Sequence, residues 1–368
     1  VGLDHFRASP YEHEGLANIH DRSFESPVLL EIRDVRVPAS SHHPSFTRLA
    51  KHRVHLICYT HADLIDARGR DRVERWTSAT FPKAMCTFAD MRDSNKKKEE
   101  LPLYYDRMYD GLLKSIDSKG SNSALTVGVA NVGKSSVLMA LLRLARERGN
   151  IKKTIMIDRN SSARIKTKKS GGQQRRKRKV GKGSMPGVEN TPGKTREVTD
   201  YLLREKPRAF FMDVPGITPP HFFFGERPEA WFGYGATNLL PLGKAALEDV
   251  DMHRSFCEYV LSCANRDGIF QYVDKLNLTE PTDDIDEALS ALGNSKRYEK
   301  LDEEKLQLKR CQTFLKLFNT GNFGPLILDD MEDVSWRPFQ FKDEHFRKRR
   351  DFKGGMRGDD DEGNGNKR

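Results

Sequence analysis

Four short apolar runs, each closed by a turn that carries polar residues, organise the first part of the chain: Val28–Ile32 before Asp34, Val54–Cys58 before Asp63, Leu125–Val129 before Asn131, and Ala209–Met212 before Asp213. Continuous rather than alternating hydrophobicity marks strands covered on both faces. These runs therefore predict a parallel sheet that delivers polar residues to one common edge. Helix-compatible stretches separate them. The clearest is Ser135–Arg148, where Val137, Leu138, Leu141, Leu142 and Leu144 supply an apolar face and Gly149 a stop. Such alternation predicts a doubly wound α/β domain with a mostly parallel sheet. After about residue 222 the period changes. Phe256, Tyr259, Val260 and Cys263 recur at three or four, as do Leu308, Cys311, Leu315 and Phe318, which predicts a smaller α-helical domain with these stripes in its core.

Charge alters this picture in one place. The 368 residues carry a net +10, yet residues 151–182 hold thirteen Lys or Arg against the single acid Asp158, so the rest of the chain is slightly acidic. A near-neutral body with one basic segment suggests an arm that docks on a polyanion, not a groove that wraps one. Residues 151–185, rich in Lys, Arg, Gly, Ser and Gln, read as a mobile insertion. Its densest run, Arg175, Arg176, Lys177, Arg178 and Lys179, is the candidate RNA contact, with a solvated charge run or a nuclear-targeting patch as alternatives. The five cysteines form no CxxC pair or Cys/His metal spacing and read as free thiols of a reducing compartment. No run approaches the roughly 20 apolar residues of a membrane span, so no integral membrane contact is expected.

The strongest chemical signal is Gly128-Val-Ala-Asn131-Val132-Gly133-Lys134-Ser135, a full G-x-x-x-x-G-K-S between an expected strand and an expected helix, followed by Ser136. In that setting the glycines turn backbone N–H groups onto nucleotide phosphates and the helix N-terminus adds its dipole. Lys134 neutralises the β and γ groups, and Ser135 offers a hydroxyl to Mg²⁺. Downstream, Asp213-Val-Pro-Gly216 follows a strand, placing Asp213 for the Mg²⁺ shell and the Gly216 N–H for the γ-phosphate. Alone, such a sequence is just a turn. Between them, Thr191-Pro-Gly-Lys-Thr195-Arg196 supplies a threonine for a switch that orders around γ-phosphate and Mg²⁺, with Thr195 the first choice and Thr191 the second.

Guanine recognition needs a carboxylate at a strand end, and nothing after Asp213 provides it. Before the phosphate loop, Thr60-His61-Ala62-Asp63 has the Asp in place but Thr and His where Asn and Lys are expected; Met85–Ala89 then reads as the next strand, with Ala89 in the loop that closes over the base. The motif order is thus base before phosphate, which is a circular permutation. An aromatic cluster follows the second switch: Phe222, Phe223, Phe224, Trp231, Phe232 and Tyr234. Packing between domains is one reading of it and stacking on RNA bases the other.

These motifs resemble those of the circularly permuted YlqF/RbgA-type GTPases, and within them the mitochondrial ribosome-associated GTPase 1 family. The marks are Glu31-Ile-Arg-Asp34-Val-Arg36-Val-Pro38, Asn131-Val-Gly-Lys-Ser-Ser136, Pro192-Gly-Lys-Thr195-Arg196, Asp213-Val-Pro-Gly216 and Gly321-Asn-Phe-Gly324, in the family's order between about residues 24 and 330. The resemblance implies a permuted GTPase domain over residues 1–222, a helical RNA- or ribosome-binding domain over 223–335, and a charged, disordered tail over 336–368. It implies GTP hydrolysis with Mg²⁺ and K⁺, Asn131 helping to hold the K⁺. The implied partners are large-subunit rRNA and assembly intermediates with other assembly factors, approached by a monomer in the mitochondrial matrix. A chain beginning at Val1 fits a removed targeting peptide. Ile217 matches the hydrophobic residue that stands in place of a catalytic glutamine. The family's N-terminal Phe-Pro-Gly-His has no clean counterpart, since Phe6-Arg-Ala-Ser9 lacks a His, and His13 is the nearest catalytic candidate. Thr60 and His61 also depart from the family pattern, which keeps open a second reading: a scaffold that binds rRNA with little use for nucleotide. An ATP-using P-loop enzyme is a third, set back by the lack of a Walker-B acidic pair.

Overall fold

In the computed structural model of the chain, the described residues are 26–90, 103–158, 180–182, 198–217, 219, 224, 227–240, 242–293 and 302–331. The four apolar runs are strands β1 (Val28–Asp34), β2 (Val54–Thr60), β4 (Ser123–Gly128) and β8 (Ala209–Asp213), with β3 (Ala84–Phe88) where Met85–Ala89 predicts it. Three more strands, β5 (Ile155–Asp158), β6 (Val180–Lys182) and β7 (Thr199–Arg204), complete an eight-stranded sheet in the order β3-β2-β1-β4-β8-β7-β5-β6. The first five strands of that order are parallel and the last three antiparallel. Strands β5 and β6 lie inside the stretch read from sequence as a mobile insertion. A three-residue apolar run such as Ile155–Ile157 suffices for a short strand on an already formed sheet.

Because β1, β2, β3, β4 and β8 run parallel, the turns after all five open at one edge. The Thr60–Asp63 turn precedes the phosphate loop in the chain yet the strands that carry the two lie in one sheet, with only β1 between β2 and β4, as the circular permutation read from the motif order expects. Helices α1 (Pro44–Ala50) and α2 (Ala67–Thr80) cover one face: Phe46 and Leu49 pack with Leu29, Leu125 and Met212, and Val73 with Ile57 and Tyr59. Helices α3 (Leu103–Ser118) and α4 (Lys134–Glu147) cover the other, over Leu30, Ile32, Leu56 and Ala124. Short polar caps set the helix starts. Asp66 accepts the Gly69 N–H at 2.7 Å before α2, and Gly149, at φ 70°, ends α4.

Among the described residues six helices follow: α5 (Pro228–Ala236), α6 (Lys244–Leu247), α7 (Val250–Arg266), α8 (Gln271–Leu276), α9 (Ile285–Ala291) and α10 (Glu303–Asn319). Phe256, Val260 and Cys263 of α7 are buried with Cys311, Leu315 and Phe318 of α10, as the stripes predict, while Leu308 is half-buried and Phe314 takes its share of the core. The aromatic cluster packs inward: Phe224 and Tyr234 are buried with ring centroids 5.4 Å apart, and Phe232 stacks on Tyr259 at 5.6 Å. Phe222 and Phe223 lie outside the described residues. After α10 the chain turns through Gly321 (φ 79°) and Gly324 (φ 93°) and returns to the turn after β1, where the Leu328 N–H donates to Arg36 O at 2.7 Å. No described helix is long and apolar enough to cross a membrane. All five cysteines are free.

A candidate nucleotide site at one sheet edge

The loop from β4 to α4 has the backbone its glycines allow. Gly133 stands at φ 96° just before the helix, and Asn131, at φ 58°, adopts the same left-handed region. Gly128 admits no side chain, because a Cβ would lie 2.7 Å from Ile32 O. Lys134 is buried and folds over the loop, donating to the carbonyls of Val129 at 2.8 Å and Gly128 at 3.2 Å. Burial pushes its ammonium down to about 8 against the attraction of Asp213, and pushes Asp213 up to about 6 against that of Lys134. Near neutral pH both remain mostly charged.

The Asp213-to-Gly216 turn is strapped onto this loop. Ala130 N–H donates to Ile217 O at 3.0 Å, and Ile217 N–H to Gly128 O at 3.2 Å. Gly216 sits so close that a Cβ would lie 2.8 Å from Ala130 Cα and 2.9 Å from Lys134 Nζ. Ile217 itself is buried in the core with Leu29, Leu125 and Val214, so here it anchors the turn. Asp213 Oδ1 is buried with no hydrogen-bond partner among the described residues. A desolvated carboxylate oxygen of that kind, at a strand end facing Lys134 of the phosphate loop, is the donor chemistry Mg²⁺ takes. The site residues therefore fit the ion.

On the base side, Thr60 Oγ1 lies 2.8 Å from Val132 O, 3.0 Å from Arg33 O and 3.1 Å from His61 Nδ1, tying the end of β2 to the phosphate loop. His61, at φ 58°, is the residue before a short 3₁₀ turn (Ala62–Leu64) that carries Asp63, and its Nδ1 lies 3.2 Å from Asp34 Oδ2. Burial would raise the Asp34 carboxyl, but Arg36 and His61 hold it well below the usual range. Ala89 closes the group: its N–H donates to Tyr59 O at 2.7 Å and its carbonyl accepts Ala62 N–H at 3.1 Å. Asn131 reaches the other way, its Nδ2 donating to Asn238 O at 3.2 Å.

The structure thus brings together Thr60, His61, Asp63 and Ala89 with Asn131, Val132, Gly133, Lys134, Ser135, Ser136, Asp213 and Gly216 at one sheet edge. His13, Thr191, Thr195 and the run Arg175, Arg176, Lys177, Arg178, Lys179 lie outside the described residues. Sequence reasoning marked Asp34 and Arg36 but gave them no role, and it missed Thr237, Asn238 and Asn319, which reach the edge from the helical part. No local signal could have found these, since the partners are 107, 201 and 283 residues apart.

No family model matches the chain. Among characterised proteins it is similar to the mitochondrial GTPase 1 of Aedes aegypti, 23% identical over 86% of this chain and 91% of the relative. It is similar also to the mitochondrial ribosome-associated GTPase 1 of Ictalurus punctatus, 25% identical over 89% of each, and of Mus musculus, 24% identical over 86% and 87%. Two solved structures, a GDP-bound YlqF and a GNP-bound YlqF from T. maritima, align with TM-scores of 0.44 at 14% and 13% identity, over 86% and 87% of this chain and 99% and 100% of theirs. Over nearly its whole length, then, the chain resembles the mitochondrial ribosome-associated GTPase 1 proteins that its motifs point to.

Proposed function

We propose that this chain binds GTP at the shared sheet edge and hydrolyses it while acting as an assembly factor on the large ribosomal subunit of mitochondria, in the matrix. The observation that carries the reading is the buried pair of Lys134 and Asp213 between two loops whose backbones are bonded to each other. A cation and an acceptor with an unsatisfied oxygen, held in a desolvated cleft, form a costly arrangement unless a charged ligand completes it.

In this reading Lys134 swings from its own loop carbonyls to the β- and γ-phosphates, and the N–H groups from Asn131 to Ser136 cradle them. Ser135 and Asp213 hold Mg²⁺, which supplies neutralisation of the phosphate charge, with Thr195 as a further ligand. Gly216 gives its N–H to the γ-phosphate. Asp63 accepts from the guanine, while Thr60 keeps the base loop in register with the phosphate loop and Ala89 closes over the ring. With its Nδ2 committed to Asn238, Asn131 has Oδ1 to offer to K⁺. Hydrolysis then needs a group from outside these loops, since Ile217 is core; His13 is the candidate within the chain and the ribosomal particle the candidate outside it. The helices from residue 228 on form the ribosome-facing domain, and Arg175–Lys179 dock on rRNA.

The replacement of Asn-Lys by Thr60-His61 favours the second reading, a nucleotide-poor rRNA-binding scaffold. Fluorescent GTP and ATP analogues titrated in K⁺ buffer onto wild type, Lys134→Ala and Asp63→Ala separate the two. The GTPase reading expects selective GTP binding that both variants weaken by at least about tenfold, or about 1.4 kcal/mol. Absence of binding, alone and with large-subunit particles, selects the scaffold.

A further inference from the structure

A continuous line of polar contacts runs from the end of α10 to the phosphate loop. Asn319 Oδ1 accepts from Arg36 Nη1. Arg36 donates through Nη2 to Asp34 Oδ2 at 2.6 Å and through Nε to Asp34 Oδ1 at 3.0 Å. Asp34 Oδ2 faces His61 Nδ1 at 3.2 Å, that nitrogen lies 3.1 Å from Thr60 Oγ1, and Thr60 donates to Val132 O at 2.8 Å. Asp34, Arg36 and Thr60 are buried. We propose that Arg36 is a positioning residue for the base-recognition loop, and that through it the end of α10 controls how tightly nucleotide is held. The proposal rests on the GTP reading above and concerns the base side of that site.

Three features support it. A guanidinium presents five donors in one rigid plane, so fixing Nη1 on Asn319 fixes where the other edge holds Asp34; a lysine could not transmit that orientation. Arg36 is further held from the helical side, with Nη2 3.3 Å from Thr237 O and the Phe318 ring 5.8 Å from its carbon. Its partner Asn319 is likewise fixed, donating to Ala236 O at 2.8 Å and Leu315 O at 2.7 Å. Second, His61 sits in the left-handed region, a backbone state that persists only where surrounding contacts impose it. Its side chain meets Asp34 and Thr60, both members of this line. Third, the turn after α10 touches the same loop directly: a Cβ on Gly321 would lie 3.1 Å from Leu64 Cδ2. When the end of α10 moves, Arg36 loses its far anchor, Asp34 loses its alignment, and the loop carrying Asp63 relaxes. A partner that grips the helical end could release nucleotide by this route, independently of the γ-phosphate side.

The test is the dissociation rate of a fluorescent GDP analogue from the full chain, chased with excess GDP, for wild type, Asn319→Ala, His61→Ala and the double variant. Each single change should speed release about three- to tenfold, and the double variant should be no faster than the faster single, because both cut one line. Arg36→Lys should match Asn319→Ala. Rates that multiply in the double variant, or an Asn319→Ala rate within twofold of wild type, overturn the coupling. General destabilisation would multiply rather than saturate. If Asn319→Ala does not fold, Asn319→Gln carries the same cycle. A wild-type chain that holds no nucleotide, with or without large-subunit particles, removes the GTP reading and the proposal with it; binding by wild type with multiplying rates removes the proposal alone.

Discussion

Burial at the end of β1 strips water from Glu31, Arg33, His42, His43 and His55 together. The charges survive because they pair: Arg33 donates to Glu31 at 2.7 and 3.0 Å, His42 and His55 meet the same carboxylate at 2.7 and 2.8 Å, and Arg33 lies 4.4 Å from the Phe81 ring centre. Burial depresses His42 to about 4 and His43 to about 3, the latter aided by His42. An unfolded histidine takes its proton near pH 6.5 and a folded His43 does not until far lower, so acidification favours unfolding; the contribution is complete above that pH and falls away below it. His43 Nδ1 also caps α1 by accepting the Ser45 N–H at 3.2 Å, a duty asparagine can assume. His43→Asn should therefore fold and lack this titration. In urea unfolding at pH 7.5 and 5.5, wild type should lose about 1.4 kcal/mol relative to the variant between the two conditions. Equal losses would show that His43 titrates normally. At this scale the sequence was legible where residue type and spacing place side chains together, as with Lys134 and Asp213, which the structure buries within reach of each other's charge. It was silent on His42 and His55, whose roles depend only on which strands become neighbours.

Elements were legible to the extent that hydrophobicity alone shapes them. Runs buried on both faces identified β1, β2, β4 and β8, and because all are parallel the shared edge followed. Strand ends were underestimated: β1 runs on through Arg33 and Asp34 and β2 through Tyr59 and Thr60, since polar side chains there are buried by pairing. The antiparallel strands β5 to β7 were hidden because short strands among Lys and Arg carry little apolar signal. Packing between helices is where a single atom matters most. Helix α5 approaches α7 at Gly235, and a Cβ there would lie 2.2 Å from Phe256 Cζ, with the ring buried between them. Gly235→Ala gains helix propensity yet forces that ring aside, so a net loss of about 1–3 kcal/mol is expected. Thermal unfolding measures it, and Phe256→Leu in the same chain should recover part. An unchanged or raised midpoint would mean that the helices separate without cost.

At the scale of the molecule, the last described segment folds back onto the turn after the first described strand. Ile327 and Met331 join the small core of Val35, Ile57, Tyr59 and Val73, so residues about three hundred apart in sequence share one apolar cluster. Asp329 makes the polar part of this closure. It is buried and accepts the N–H groups of Ala39 and Ser40 at 2.8 Å each and the Ser40 hydroxyl at 2.6 Å, while Tyr234 donates to Ser40 O at 3.0 Å. Burial lifts its carboxyl to about 6 even so, so it is mostly ionised near neutral pH and gives its three donors a charged acceptor. The turn after β1 is thus held by α5 and by the returning segment, two parts that follow it by some two hundred residues or more. Asp329→Ala strands two buried N–H groups, each costing about 1–3 kcal/mol. Hydrogen exchange should localise the effect: amides in residues 35–43 should lose protection, while those of β4 at residues 123–128, whose ladder bonds lie with β1 and β8, keep theirs. Uniform loss across both would instead mean that Asp329 supports the whole fold, and no loss in either that the apolar cluster holds the turn unaided.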